Sequence, residues 1–156
     1  MTEYQRSFME AALAAAREAF DEGEVPVGAV IVRNGEIVSV GRNRREKAKN
    51  ALLHAETDAI QNACRALGGW RLWNCELYVT LEPCPMCAGA VINAHIPVVY
   101  YGARDLKNGA CGTVANLFEM PFTFHPECYG GFMEAECSAL LKDFFKQLRK
   151  QPRPLT

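Results

Sequence analysis

Two short motifs, His54-Ala55-Glu56 and Pro83-Cys84-Pro85-Met86-Cys87, constrain this 156-residue chain more than anything else in it. Whatever fold forms must bring an imidazole and two thiols, roughly thirty residues apart, to one point. Together they supply three zinc-type ligands and one carboxylate that is not needed as a ligand. Catalytic zinc sites keep three protein ligands and leave the fourth position for water, whereas structural sites close all four. His54, Cys84 and Cys87 can make the three, and Glu56 then stands beside the open position as a proton carrier.

The Cys84-Pro-Met-Cys87 segment taken alone also fits a redox pair or half of a structural zinc site. A redox role leaves His54 and Glu56 unused. A closed structural site needs a fourth ligand, for which His125, Cys128 and Cys111 are the candidates, and nothing else pairs convincingly with His125-Pro126-Glu127-Cys128. His95, near the end of a short helix, reads as a surface or dipole-compensating histidine. Seven cysteines are an odd count, which in a cytosolic protein points to metal binding plus buried free thiols. Cys64, Cys75, Cys111 and Cys137 are expected to pack as small hydrophobes.

Composition bounds the rest. With 49% hydrophobic and 22% charged residues the chain reads as one globular domain spanning residues 1–156. Glu3, Arg6 and Glu10 interrupt any signal-peptide core, and no apolar run approaches the roughly 18 residues of a membrane span, so a cytoplasmic protein without membrane association is expected. A formal net charge of −1 gives no global pull toward nucleic acid. The charges are nonetheless segregated. Acids crowd Glu10 to Glu24, and bases cluster at Arg42 to Lys49 and again from Lys142 to Arg153. Either basic stretch could grip phosphates, or simply form a solvated face.

Apolar spacing predicts a helix from about Tyr4 to Glu22, stopped by Gly23, and a hairpin turning at Asn34-Gly35 between Val27–Val32 and Ile37–Val40. An irregular basic segment, Arg42 to Asn50, precedes a helix from about His54 to Leu67 ended by Gly68-Gly69. Cys75–Leu81 reads as a strand, Pro85–Ala94 as a short helix and Val98–Tyr101 as a strand. A Gly-rich loop then runs from Gly102 to Thr113. Pro121 and Pro126 weaken any strand in the next stretch, although Glu127–Tyr129 could pair. A last helix is expected over about 134–150, with Pro152 and Pro154 marking a tail. Strands alternating with helices imply a mixed sheet covered on both faces, with both half-motifs at helix starts. Such termini carry partial positive charge and favour the thiolate of Cys84, while Pro85 fits a first turn that requires no N–H.

Zinc held by one imidazole and two thiolates lowers the pKa of bound water from 15.7 toward about 7 in favourable cases. Two anionic thiolates weaken that effect, so a nearby carboxylate becomes useful. Glu56 can accept a proton from water and deliver protons to a ring nitrogen and a leaving amine. The chemistry that follows is hydrolysis at an amidine-like carbon of a heteroaromatic ring, with ammonia released.

At these residues the sequence resembles the cytidine/deoxycytidylate deaminase superfamily, whose zinc signature is H-x-E…P-C-x-x-C. Within it the chain looks like the bacterial tRNA-specific adenosine deaminases. Glu24-Val25-Pro26-Val27-Gly28-Ala29-Val30, Asn43-Arg44-Arg45-Glu46 and Leu77 through Ala90 carry the likeness, as do Tyr101-Gly102-Ala103-Arg104-Asp105 and Phe144 through Arg149. The resemblance implies an α/β, three-layer αβα cytidine-deaminase-like fold with a mixed five-stranded sheet, a homodimer, and a zinc-dependent conversion of the wobble adenosine of a tRNA anticodon stem-loop to inosine. It implies that Asn43 orients the flipped base, that Val27 packs against its ring, and that the basic C-terminal helix, with Lys146, Arg149 and Lys150, meets RNA phosphates. Two departures stand out: Leu52-Leu53 where the family has Thr-Ala before His-Ala-Glu, and Thr123-Phe124-His125-Pro126-Glu127 where it often has Asn-His-Arg. Deamination of a free nucleobase or nucleoside is the competing enzymatic reading. A non-catalytic RNA-binding zinc module is the competing reading outside enzymes, and it leaves Glu56 without a purpose.

Overall fold

The computed structural model describes residues 1–151; Pro152, Arg153 and Pro154, expected above to be a tail with one of the C-terminal bases, lie outside them. The helix α1 (Glu3–Asp21) begins at a Thr2–Gln5 capping box and buries Phe8, Met9, Ala12, Leu13, Ala15, Ala16 and Ala19 along one face. Its small residues let it lie very close to the sheet. A Cβ at Gly28 would run into the backbone of Ala12 and Ala16. The hairpin follows as β1 (Gly28–Arg33) and β2 (Glu36–Arg42), and Asn34 and Gly35 both adopt positive φ, the requirement of a tight two-residue turn.

The segment expected to be irregular holds a short helix, α2 (Arg45–Ala48). Periodicity could not reveal it, because none of its residues is buried. Then come α3 (Ala55–Leu67), β3 (Cys75–Leu81), α4 (Pro85–Ala94) and β4 (Val98–Ala103). A 3-10 turn at Leu117–Glu119 precedes β5 (Glu127–Tyr129) and α5 (Glu134–Arg149). The sheet runs β2-β1-β3-β4-β5. β1 is antiparallel to both neighbours, whereas β3, β4 and β5 are parallel.

Alternate residues of the central strands feed two separate cores. Ala29, Ile31, Leu77, Val79 and Val99 pack with Ala55, Ala59 and Ala63 of α3 and with Ala88 and Val91 of α4. Val30, Val32 and Tyr78 pack on the other face with Phe8, Met9, Ala12 and Leu13 of α1 and Cys137 of α5. Helices therefore cover both faces, as the period-2 alternation of two-sided strands demands. This is the three-layer αβα arrangement with a mixed five-stranded sheet. Cys75, Cys111 and Cys137 are buried and Cys64 half-buried, and burial pushes each thiol away from ionisation, Cys137 up to about 12. For Cys111 the larger influence is a hydrogen bond with Cys128.

The polarity of the elements gathers one end of the molecule. The start of β1, the end of β2, the starts of α3 and α4, and the ends of β3 and β4 share that pole, the usual location of sites in sheets with parallel strands.

Candidate functional site

His54 and Cys84 both occupy N-cap positions with extended backbone, at α3 and α4 respectively. The α3 start is fixed by Thr57, whose hydroxyl accepts from the His54 N–H at 3.1 Å and donates to the Leu52 carbonyl at 2.5 Å. Leu52 is 63% exposed and Leu53 half-buried, and neither belongs to the ligand cluster. The α4 start uses Pro85 in its first turn and places Cys87 one turn on, fully buried.

His54 Nδ1 lies 3.7 Å from Cys84 Sγ and 3.5 Å from Cys87 Sγ. Tetrahedral bonds of about 2.3 Å to sulfur and about 2.0–2.1 Å to nitrogen separate such donors by about 3.6 Å, so the three atoms fit zinc. Among the described residues they form the one group of three or more such side chains whose ligand atoms converge, all within 4.8 Å. His125, Cys111 and Cys128 are not in it. His125 Nδ1 instead faces the Phe118 carbonyl at 3.1 Å. Three donors without a fourth are the arrangement of a catalytic rather than a structural site.

The electrostatics suit a cation. A hydrogen bond from Cys87 holds Cys84 down to about 4, with His54 assisting, while that same bond and burial push Cys87 up. A dication beside both sulfurs would favour the thiolate form of each. His54 is raised, chiefly by its hydrogen bond to Cys84. Glu56, two residues along α3, is only 4% exposed. Burial pushes its carboxyl up to about 7, close to the range in which an acid can both take and give a proton.

Asn43 is buried, and its N–H donates to the Val27 carbonyl at 3.0 Å, so the two expected substrate contacts are neighbours. The Asn43 side chain is partly committed already. Its Nδ2 donates to the Val25 carbonyl at 3.2 Å and its Oδ1 accepts from the Arg45 N–H at 3.3 Å. One N–H and one lone pair stay available. Lys146 and Arg149 on α5 and Lys150 at its C-cap are exposed; α5 packs on the sheet face opposite α3 and α4, and no ion pair among the described residues engages these bases.

The first basic stretch is not free. Arg42 pairs with Glu22 at 2.5 Å and Glu18 at 3.5 Å, Arg44 with Asp58 at 2.5 Å, and Lys47 with Glu22 at 3.0 Å. Acids near the end of α1 and Asp58 of α3 are its partners, so much of this stretch is structural rather than available to phosphates. His95 caps α4 at positive φ and lies in an aromatic group with Trp70, Trp73 and Phe124. Besides Asp58, already paired with Arg44, two buried carboxylates carry roles that the sequence did not reveal. Glu24, fully buried, accepts from the Glu46 and Lys47 N–H groups at 2.9 and 2.7 Å and so fixes the loop carrying Asn43. Glu82 does the same for the loop after β4. An acid directly ahead of Pro83-Cys84 was the available signal for the second.

A family model described as the cytidine and deoxycytidylate deaminase zinc-binding region matches residues 2–103. Fold and site together thus define a zinc-binding deaminase domain. A tRNA-specific adenosine deaminase of Bacillus subtilis (strain 168) is 47% identical over 147 residues, covering 94% of this chain and 91% of that protein. A solved structure from work on A-to-I editing by tRNA:A34 deaminases at the wobble position superposes with a TM-score of 0.84 at 44% identity, over 86% of this chain and 99% of that one. A guanine deaminase from Nitrosomonas europaea shares the fold, with a TM-score of 0.79 at 22% identity over 89% of this chain and 83% of that one. The chain belongs to the tRNA-specific adenosine deaminases of the cytidine and deoxycytidylate deaminase family. Its cofactor is zinc.

Proposed function

We infer that this protein hydrolyses adenosine to inosine at the wobble position of a tRNA anticodon, with water consumed and ammonia released. The observation that carries the reading is the buried Glu56 carboxyl beside the three converging donors His54, Cys84 and Cys87, in a chain whose relatives bear that activity. His54, Cys84 and Cys87 would hold the zinc, which supplies acidified water at neutral pH. Glu56 takes a proton from the attacking water and passes protons to the purine ring nitrogen and then to the departing amine. The remaining N–H and lone pair of Asn43 hydrogen-bond the extruded nucleotide, and Val27 packs against its ring. Lys146, Arg149 and Lys150 contact phosphates on the flanking RNA.

The working unit in this reading is a cytoplasmic homodimer. Its support is α4, which carries no charged residue although Pro85 and Asn93 are exposed and Ala90 and Ile92 only half-buried. An uncharged helix with an open face is usually covered by something. No described helix is long and apolar enough to cross a membrane.

Incubation with an anticodon stem-loop, a tRNA pool and free nucleosides, with inosine and ammonia read separately, tests the function. Inosine confined to RNA supports it; ammonia from free guanine or cytosine with none from RNA overturns it. Light scattering of the purified protein tests the dimer.

A further inference from the structure

Glu82 has no part in the chemistry above, yet it is a carboxyl group only 1% exposed, one proline away from a metal ligand. A buried carboxylate is costly unless several donors meet it. Here they do, and all belong to one loop. The Asp105 N–H donates to Oε1 at 3.2 Å, and the Cys111 and Thr113 N–H groups donate to Oε2 at 3.1 Å each. The Thr113 hydroxyl also donates to Oε1. Gly109 lies so close that a Cβ there would strike the Glu82 carboxyl group. The loop backbone is wrapped on this side chain.

The same loop is joined to the ligand turn by a second tie, the Ala110 N–H donating to the Pro83 carbonyl at 2.9 Å. Ala110 and Cys111 pack in the core that holds Ala55 of α3 and Ala88 of α4. At its tip Arg104, Leu106, Lys107 and Asn108 stand exposed at the site's pole. Asp105 Oδ1 stiffens that tip by accepting from the Lys107 and Asn108 N–H groups at 3.0 Å each.

We propose that Glu82 is a positioning residue for substrate binding: its carboxylate sets the Arg104–Thr113 loop, in register with the Cys84 turn, as a rigid wall of the nucleotide site. The inference rests on the RNA-deaminase reading. Glu82 does not touch substrate. It acts by holding a loop whose exposed tip does.

The test uses the full zinc-loaded protein, with Glu82→Gln, Glu82→Asp and Thr113→Val assayed on an anticodon stem-loop. Glu82→Gln keeps the shape but replaces one acceptor oxygen with an NH2 group facing N–H donors. KM is expected to rise about tenfold for Glu82→Gln and less for Thr113→Val, with zinc content unchanged and kcat within about twofold. Glu82→Asp should recover part of the loss. A purely structural role would lower zinc content and the active fraction together, reducing apparent kcat at unchanged KM, and that result overturns the proposal. If Glu82→Gln does not fold, Thr113→Val decides alone: KM equal to that of the unaltered protein overturns it. Wild-type protein inactive on RNA would instead refute the underlying function.

Discussion

Removing the Glu56 carboxyl should separate metal binding from turnover. Glu56 sits beside the ligands without being one, so Glu56→Ala is expected to keep about one zinc per chain while losing about 10²–10⁴ in kcat, the usual worth of a positioned proton carrier. Metal analysis alongside the stem-loop assay checks both halves; loss of zinc in this variant would make Glu56 a ligand. Asn43 differs because it serves two purposes. Asn43→Ala strips partners from the Val25 carbonyl and the Arg45 N–H, so a stability loss of about 1–3 kcal/mol is expected in urea denaturation. Turnover should fall beyond what the unfolded fraction explains. A loss of stability with unaltered kinetics would reduce Asn43 to a loop brace.

Among the elements, the two glycines under the helices give the sharpest expectation. A Cβ at Gly28 would meet the backbone of α1, and one at Gly41 the Ala55 carbonyl and Ala59 N–H at the start of α3. Backbone cannot step aside as a side chain can, so each change to Ala should cost about 1–3 kcal/mol or more. Only Gly41→Ala displaces the turn that carries His54, so only it should also surrender zinc faster to a chelator. The elements readable in the sequence were those with a pattern and a punctuation mark. Cys75–Leu81 and Pro85–Ala94 form over those very residues because alternation marks the strand and Pro85 the start of the helix. The convergence of His54, Cys84 and Cys87 was equally legible, since residue identity and order survive without coordinates. The helix α2 was not, having no buried face to leave a period. Nor were the roles of Glu24 and Glu82, whose partners are mostly backbone N–H groups that every residue type but proline carries.

Charge acts over the whole molecule. Replacing Lys146, Arg149 and Lys150 with neutral residues should weaken stem-loop binding and reduce the slope of log affinity against log salt by roughly 2, given about 0.7 per single-strand phosphate contact. Zinc and melting temperature should not change, and an unchanged slope would remove α5 from the RNA interface. Acid stability depends on a different group. Hydrogen bonds from Arg42 and then Lys47 hold Glu22 at about 2, against an ordinary 4.5. A depressed folded-state value means that this contribution is complete above about pH 4.5 and disappears as pH falls toward 2. The gap in urea midpoint between wild type and Glu22→Gln should therefore close across that window, and close further in high salt; a constant gap would show that the pairs do not act through charge. Finally, the polarity of the strands leaves the Asn34–Gly35 turn at the pole remote from Val27 and Asn43, about 20 Å down a six-residue strand. A tight turn exposed at that distance is a natural place to splice in a foreign module. Cargo grafted there would ride on the enzyme's back, leaving its mouth open to nucleic acid.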